Sequence, residues 1–221
     1  GSYLDAEHRD MQLPFIHRVN GAKIGFLNYT YGTNGLTIKG DLVVDYIDRG
    51  LMARDIAECR ANGAELIVVC VHWGIEYQTQ PSKEQRDLAN FLIDCGVDMI
   101  IGSHPHVVQP MEIVRNEKFD KDVLVVYSLG NFISNQKDLL CRGGAMVKVE
   151  IVRNEHNEPI VKGAKYKLFF TQKPTAAEPD YILIPENGAV MVDKSQRVEF
   201  DGFMRKTGEL LRKFNIGVVA E

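Results

Sequence analysis

The sequence predicts an α/β fold: a parallel sheet flanked by helices, followed by an antiparallel β extension and a terminal helix. Three observations carry this. Apolar runs of strand length alternate with helical patterns from Ala22 to Phe132. Those runs are nearly continuous, as in strands buried on both faces. After Gly143 the texture changes to alternating apolar and polar residues, the mark of strands with one wet face.

In chain order, "AKIGFLNYTYG" (Ala22 to Gly32) reads as a strand ending in turn chemistry. Asp48 to Asn62 carries leucine, methionine, isoleucine and alanine at helical spacing, with Gly63 as the stop. "ELIVVCVH" (Glu65 to His72) is an apolar strand. Ser82 to Cys95 is a helix, because Ser82 and Gln85 form a Ser-x-x-Gln capping box and Gly96 follows. "VDMIIG" and "DVLVVYSLGNF" (Asp122 to Phe132) are the next strands. Gly143 to Arg153 and Val161 to Gln172 form a hairpin across the turn "NEHNEP". "QKPTAAEPD" is a loop, and "RVEFDGFMRKTGELLRKFN" ends as an amphipathic helix over its second half.

At 221 residues, 45% hydrophobic and 25% charged, the chain has the composition of a soluble globular protein with a core of its own. A net charge of −4 leaves no basic footprint for nucleic acid and no polybasic patch for a membrane surface. No apolar run is long enough to span a bilayer. No signal-peptide pattern is read, and the opening Gly-Ser suits an expression scar or native sequence equally. Cys59, Cys70, Cys95 and Cys141 include no C-x-x-C pair and read as structural thiols.

Ligands of open α/β sheets bind beyond the carboxyl ends of the strands. Three predicted strands end in polar clusters: His72-Trp73-Gly74, Gly102-Ser103-His104-Pro105-His106 and Ser128-Leu129-Gly130-Asn131. Parallel strands would set all three on one rim. In extended chain an H-x-H pair projects both rings to one side, and Pro105 biases His104 towards that conformation. Neutral imidazole is the commonest side-chain metal ligand, so His72, His104 and His106 are candidate ligands of one metal centre.

Structural readings stand beside these. His72 also suits a hydrogen-bonded strand end, and His104 with His106 a purely structural pair. Asn131 suits an Asx turn. Trp73 suits packing or a pocket wall. Glu76 suits a ligand, a general acid/base or a solvated loop. His8, His17 and His156 read as surface residues. No strand-end aspartate accompanies the histidines as the bridging carboxylate of a two-ion site, so they read as half a site.

"VHWGIEYQTQPSKEQRDLANFLIDCGVDMIIGSHPHVVQP" (Val71 to Pro110), "VVYSLGNFIS" (Val125 to Ser134) and "AKIGFLNYTYGTNG" (Ala22 to Gly35) resemble the CapA/PgsA-like family of bacterial capsule and poly-γ-glutamate biosynthesis proteins. The HWGxEY, HPH and YSLGNF blocks are highly specific in this order and spacing. The resemblance implies a calcineurin-like metallophosphatase α/β/β/α sandwich. Residues 1–150 would be the C-terminal portion of that domain, and 151–221 an extension and helix of the same domain. It implies that His72, His104 and His106 hold divalent metal, one ion or two (Mn, Zn, Fe or Mg), with Glu76, Tyr77 and Asn131 in or beside the pocket. Glu76 and Asn131 are the candidate catalytic residues.

The family's opening Gly-Asp, Asn-Leu-Glu and Asn-Asn-His blocks do not precede Gly1. The expectation is therefore a chain without the N-terminal part of the fold, metal-poor and inactive on its own. Its uncovered sheet edges would favour self-association. The function expected from the resemblance is capsule or poly-γ-glutamate biosynthesis, as a metal-dependent, phosphoesterase-like hydrolase. The alternative is a non-catalytic module of the same fold for binding or assembly in polymer synthesis and export. Expected partners are an envelope polymer or phosphoester substrate and capsule synthesis and export proteins, with no nucleic acid. The expected location is the bacterial cell envelope.

Overall fold

The computed structural model describes residues 1–176 and 178–221. The chain runs β1 (Ser2–Tyr3), α1 (Ala6–Gln12), β2 (Phe15–Val19), β3 (Ala22–Thr30), β4 (Val43–Val44), α2 (Arg49–Ala61), β5 (Leu66–His72) and α3 (Lys83–Asp94). It continues with β6 (Met99–Ser103), β7 (Met111–Asn116), β8 (Lys121–Val126), β9 (Gly143–Arg153), β10 (Pro159–Gln172), β11 (Ile182–Pro185), α4 (Arg197–Phe214) and β12 (Val218–Ala220).

Six strands form the main sheet in the order β2-β3-β5-β6-β8-β7. The inner four, β3, β5, β6 and β8, are mutually parallel. The edges β2 and β7 are antiparallel to their neighbours, so the sheet is mixed where a parallel one was expected. Alternation along the strands divides the core. Leu66, Val68, Met99, Leu124 and Val126 face the second sheet, while Ile67, Val69, Ile100 and Val125 face α2 and α3. The continuous apolar runs thus mark strands covered on both sides.

The second sheet centres on β10, antiparallel to β9 and β11 and parallel to β12. Ala145, Ala164, Tyr166, Leu168 and Phe170 turn towards the main sheet, while Met146, Lys148, Lys165 and Lys167 are exposed. This is the hairpin with one wet face. Its turn is closed by the Asn154 side chain, which accepts from the amides of His156 and Glu158. The α/β class and the helix–sheet–sheet layering agree with the expected sandwich.

The differences have physical reasons. β2 and β7 are short edge strands whose partners lie close in sequence, and neither has a long apolar run to announce it. β8 ends at Val126, because the following residues leave the ladder to form the rim. α4 starts at Arg197, earlier than expected: Phe200, Phe203, Thr207 and Leu211 form one buried stripe along its whole length. The expected loop "QKPTAAEPD" includes residue 177, which lies outside the described residues. Ser82 caps α3 as expected, with the full capping box at Gln85, and Asp48 caps α2 in the same way. All four cysteines are free.

Candidate functional site

β5, β6 and β8 run parallel, so their carboxyl ends share one rim and the three polar clusters converge there. His72 ends β5 opposite Ser103, the last residue of β6. His104, Pro105 and His106 follow at once, and Ser128 to Asn131 follow β8. The convergence comes from strand direction alone.

The extended H-x-H reading is corrected. His104 has φ +100° and His106 φ +62°, in the left-handed region that bulky residues seldom occupy. The pair sits in a tight bend. Trp73 donates its main-chain N–H to Ser103 and Tyr77 donates its own to Pro105, which hold the bend against the β5–α3 loop. The two rings still converge, with centroids 6.1 Å apart, because the bend turns them together.

His72 Nε2 and His104 Nδ1 lie 3.1 Å apart. His72 Nδ1 is 3.2 Å from Ser103 Oγ. Burial lowers the pKa of both histidines, and the neighbouring imidazoles add to the shift; for His104, Glu76 opposes it. The shift favours the neutral ring, the ligand form. His106 Nδ1 is 2.9 Å from Asn131 Oδ1, and its Nε2 is 3.7 Å from the half-exposed Glu76 carboxylate. All five candidate residues therefore meet on the rim: His72 with His104 on one side, His106 with Asn131 and Glu76 on the other.

Two nitrogens bound to one Zn²⁺ at about 2.0–2.1 Å with tetrahedral angles stand roughly 3.3 Å apart. The His72–His104 pair is close to that spacing. Among the described residues, however, no group of three or more His, Cys, Asp or Glu side chains is arranged to hold one ion. The residues present fit part of a metal shell: two nitrogens for one ion, with His106 nearby.

Several contributors were not read from the sequence. The Tyr31 ring centroid lies 4.4 Å from that of His104 and 5.9 Å from that of His72. Its place was inferable, since β3 is a parallel neighbour of β5 and ends on the same rim. Gln136 and the Cys141 carbonyl contact Asn131, and no motif signalled them. Trp73 is a packing residue at 2% exposure, its indole N–H donating to Tyr127 O. Of the other histidines, His17 and His156 are exposed as expected. His8 is half-buried, with Nδ1 accepting from the Leu4 amide.

The family model described as "Bacterial capsule synthesis protein PGA_cap" matches residues 1–136. The PGA biosynthesis protein CapA of Bacillus subtilis (strain 168) is 34% identical over 139 residues, covering 62% of this chain and 35% of that protein. The capsule biosynthesis protein CapA of Bacillus anthracis is 28% identical over 151 residues, covering 66% and 35%. The chain thus spans about a third of the length of these curated relatives. Among solved structures, Haemophilus influenzae NAD nucleotidase covers 98% of this chain and 41% of its own at 12% identity and TM-score 0.48. At that score the likeness does not bear on the fold, which rests on the chain's own six-stranded and four-stranded sheets.

Proposed function

Because the chain belongs to the PGA_cap family of bacterial capsule synthesis proteins, we propose that its histidine rim is the metal-holding part of a hydrolytic centre serving capsular polymer synthesis at the cell envelope. The supporting observation is the His72 Nε2–His104 Nδ1 pair, 3.1 Å apart at the ends of adjacent parallel strands. A divalent ion bound there would polarise a scissile phosphoryl or carbonyl group and supply hydroxide near neutral pH. His72 and His104 hold the ion. His106 Nε2 and the half-exposed Glu76 carboxylate, 3.7 Å apart, lie beside that pair. A phosphate ester or a linkage of an envelope polymer is the substrate class that suits this chemistry. Imidazole donors suit Zn or Fe better than Mg or Mn.

The short donor set favours a second reading. In it the same rim binds polymer or export partners without turnover. No helix of the described residues is long and apolar enough to cross a membrane.

The test is elemental analysis and calorimetry with Mn²⁺ or Zn²⁺ on this chain and on His72→Ala/His104→Ala. One weakly held ion, lost in the double variant, is expected. No binding at millimolar metal would remove the hydrolase reading. A second arm assays full-length Bacillus subtilis CapA on a chromogenic phosphodiester, with and without a chelator. Metal bound without metal-dependent turnover would select the assembly module.

A further inference from the structure

The tautomer of His106 is set by its surroundings. Asn131 Nδ2 donates to the main-chain carbonyl of Cys141 at 3.0 Å and to Gln136 Oε1 at 3.0 Å. A main-chain carbonyl can only accept. The amide nitrogen must therefore face Cys141, and Asn131 Oδ1 must be the atom that faces His106 Nδ1 at 2.9 Å. An amide oxygen can only accept as well, so the neutral His106 ring carries its proton on Nδ1. Its lone pair is left on Nε2, the nitrogen on the Glu76 side.

The remaining contacts close a ring around this arrangement. Gln136 Nε2 is within 3.3 Å of the Tyr77 hydroxyl. The Tyr77 ring stacks on His106, with centroids 6.0 Å apart and planes 25° from parallel. Tyr77 holds this place with φ +66°, a left-handed conformation costly for an aromatic residue and typical of positions where function constrains the backbone. Its N–H donates to Pro105 O at 2.8 Å, which ties it to the bend carrying His106.

We propose that Asn131, Gln136 and Tyr77 form a clasp that fixes His106 as the Nδ1–H tautomer and so presents Nε2 as its working atom. Asn131 is then a positioning residue, acting through His106, and not a catalytic group. Gln136 and Tyr77 orient Asn131 and cover the ring. The value of an Nε2 donor for metal chemistry rests on the hydrolytic reading above; the tautomer itself does not.

The test is long-range ¹H–¹⁵N correlation on ¹⁵N-histidine-labelled, chelator-treated protein, at a pH well above the ordinary histidine pKa, with His106→Gln to assign the signal. The expected pattern for His106 is a protonated Nδ1 and an unprotonated Nε2. Asn131→Ala should give a mixture of tautomers, Gln136→Ala a smaller shift in the same direction, and Asn131→Asp should retain Nδ1–H, since a carboxylate also accepts. An Nε2–H signal in the unaltered protein overturns the proposal and needs no variant to fold. So does an unchanged tautomer in a folded Asn131→Ala. If the unaltered chain binds no metal but shows the expected tautomer, the hydrolytic reading fails and the clasp stands.

Discussion

Trp73 donates its indole N–H to the main-chain carbonyl of Tyr127, 2.9 Å away, directly across the Cα of Gly102. A Cβ on Gly102 would lie 2.0 Å from Tyr127 O and 2.5 Å from Trp73 Nε1. This position needs glycine because two neighbouring strand ends close over it. Gly102→Ala should therefore destabilise the chain by about 3 kcal/mol or more, the upper end of ordinary overpacking, since main-chain atoms must move. The Tm should fall by roughly 6 °C or more, as read by differential scanning calorimetry. Because Gly102 stands two residues before His104, metal binding should weaken in the same variant. An unchanged Tm would contradict the packing described.

Arg9 of α1 joins two buried carboxylates, Asp45 at 2.6 Å and Asp55 at 2.5 Å. Tyr29 adds a hydrogen bond to Asp55 at 2.7 Å. Burial pushes the Tyr29 hydroxyl pKa up, and the Asp55 hydrogen bond and charge add to it. Arg9→Ala leaves two carboxylates out of water with reduced compensation and should cost about 3 kcal/mol, the lower end for a broken buried pair, because the Tyr29 hydroxyl still donates to Asp55. Urea denaturation reads this. A loss under 1 kcal/mol would show the network to be solvated.

Asp98 anchors the opposite end of β6 from the histidines. It accepts from Arg60 at 2.6 Å, Lys121 at 2.6 Å and the Ile67 amide at 2.7 Å. Asp98→Ala should cost about 3–5 kcal/mol, while metal affinity at the other end of the strand stays unchanged in the folded fraction. Equal loss of metal binding and stability would mean that the rim does not depend on local geometry as described.

Ser82 and Gln85 divide two tasks. Ser82 only caps α3, so Ser82→Ala should cost about 1 kcal/mol. Gln85 completes the box and also donates to Gln109 Oε1 at 2.8 Å with its side chain fully buried. Gln85→Ala should cost more than Ser82→Ala, since it strands the buried Gln109 carbonyl. Thermal melts of the two variants side by side decide the order.

Along its first residues β9 is bonded to the rim, Ala145 N–H to Leu129 and Gly143 O to Asn131. Further along, its outer edge has no strand partner among the described residues. Met146 is 62% exposed there. An open edge recruits other strands, so light scattering should show association that grows with concentration. A monodisperse monomer at high concentration would rule this out, with Lys148 and Glu150 then acting as guards on the edge.

Much of the site was legible in the residues. Strand-length apolar runs end in histidine or asparagine, and one rule about parallel strands brings His72, His104, His106 and Asn131 together. Glu76 and Tyr77 follow His72 too closely to lie elsewhere. Gln136 was not legible, because its contact with Asn131 depends on how an irregular loop folds back.

What the sequence determined by itself is the class of fold, the cap of α3 and the strand-end residues of the rim, because these follow from periodicity, local hydrogen bonding and the parallel direction that buried apolar runs imply. What only the tertiary structure decided is the mixed direction of the sheet, the bent conformation of His104 and His106, and the side of each ring that faces outward. The bend and the ring orientations depend on contacts between separate elements: Tyr77 with Pro105, Asn131 with the Cys141 carbonyl, Trp73 with Tyr127. No local pattern encodes which of two imidazole nitrogens keeps its proton; a carbonyl brought in by the fold does.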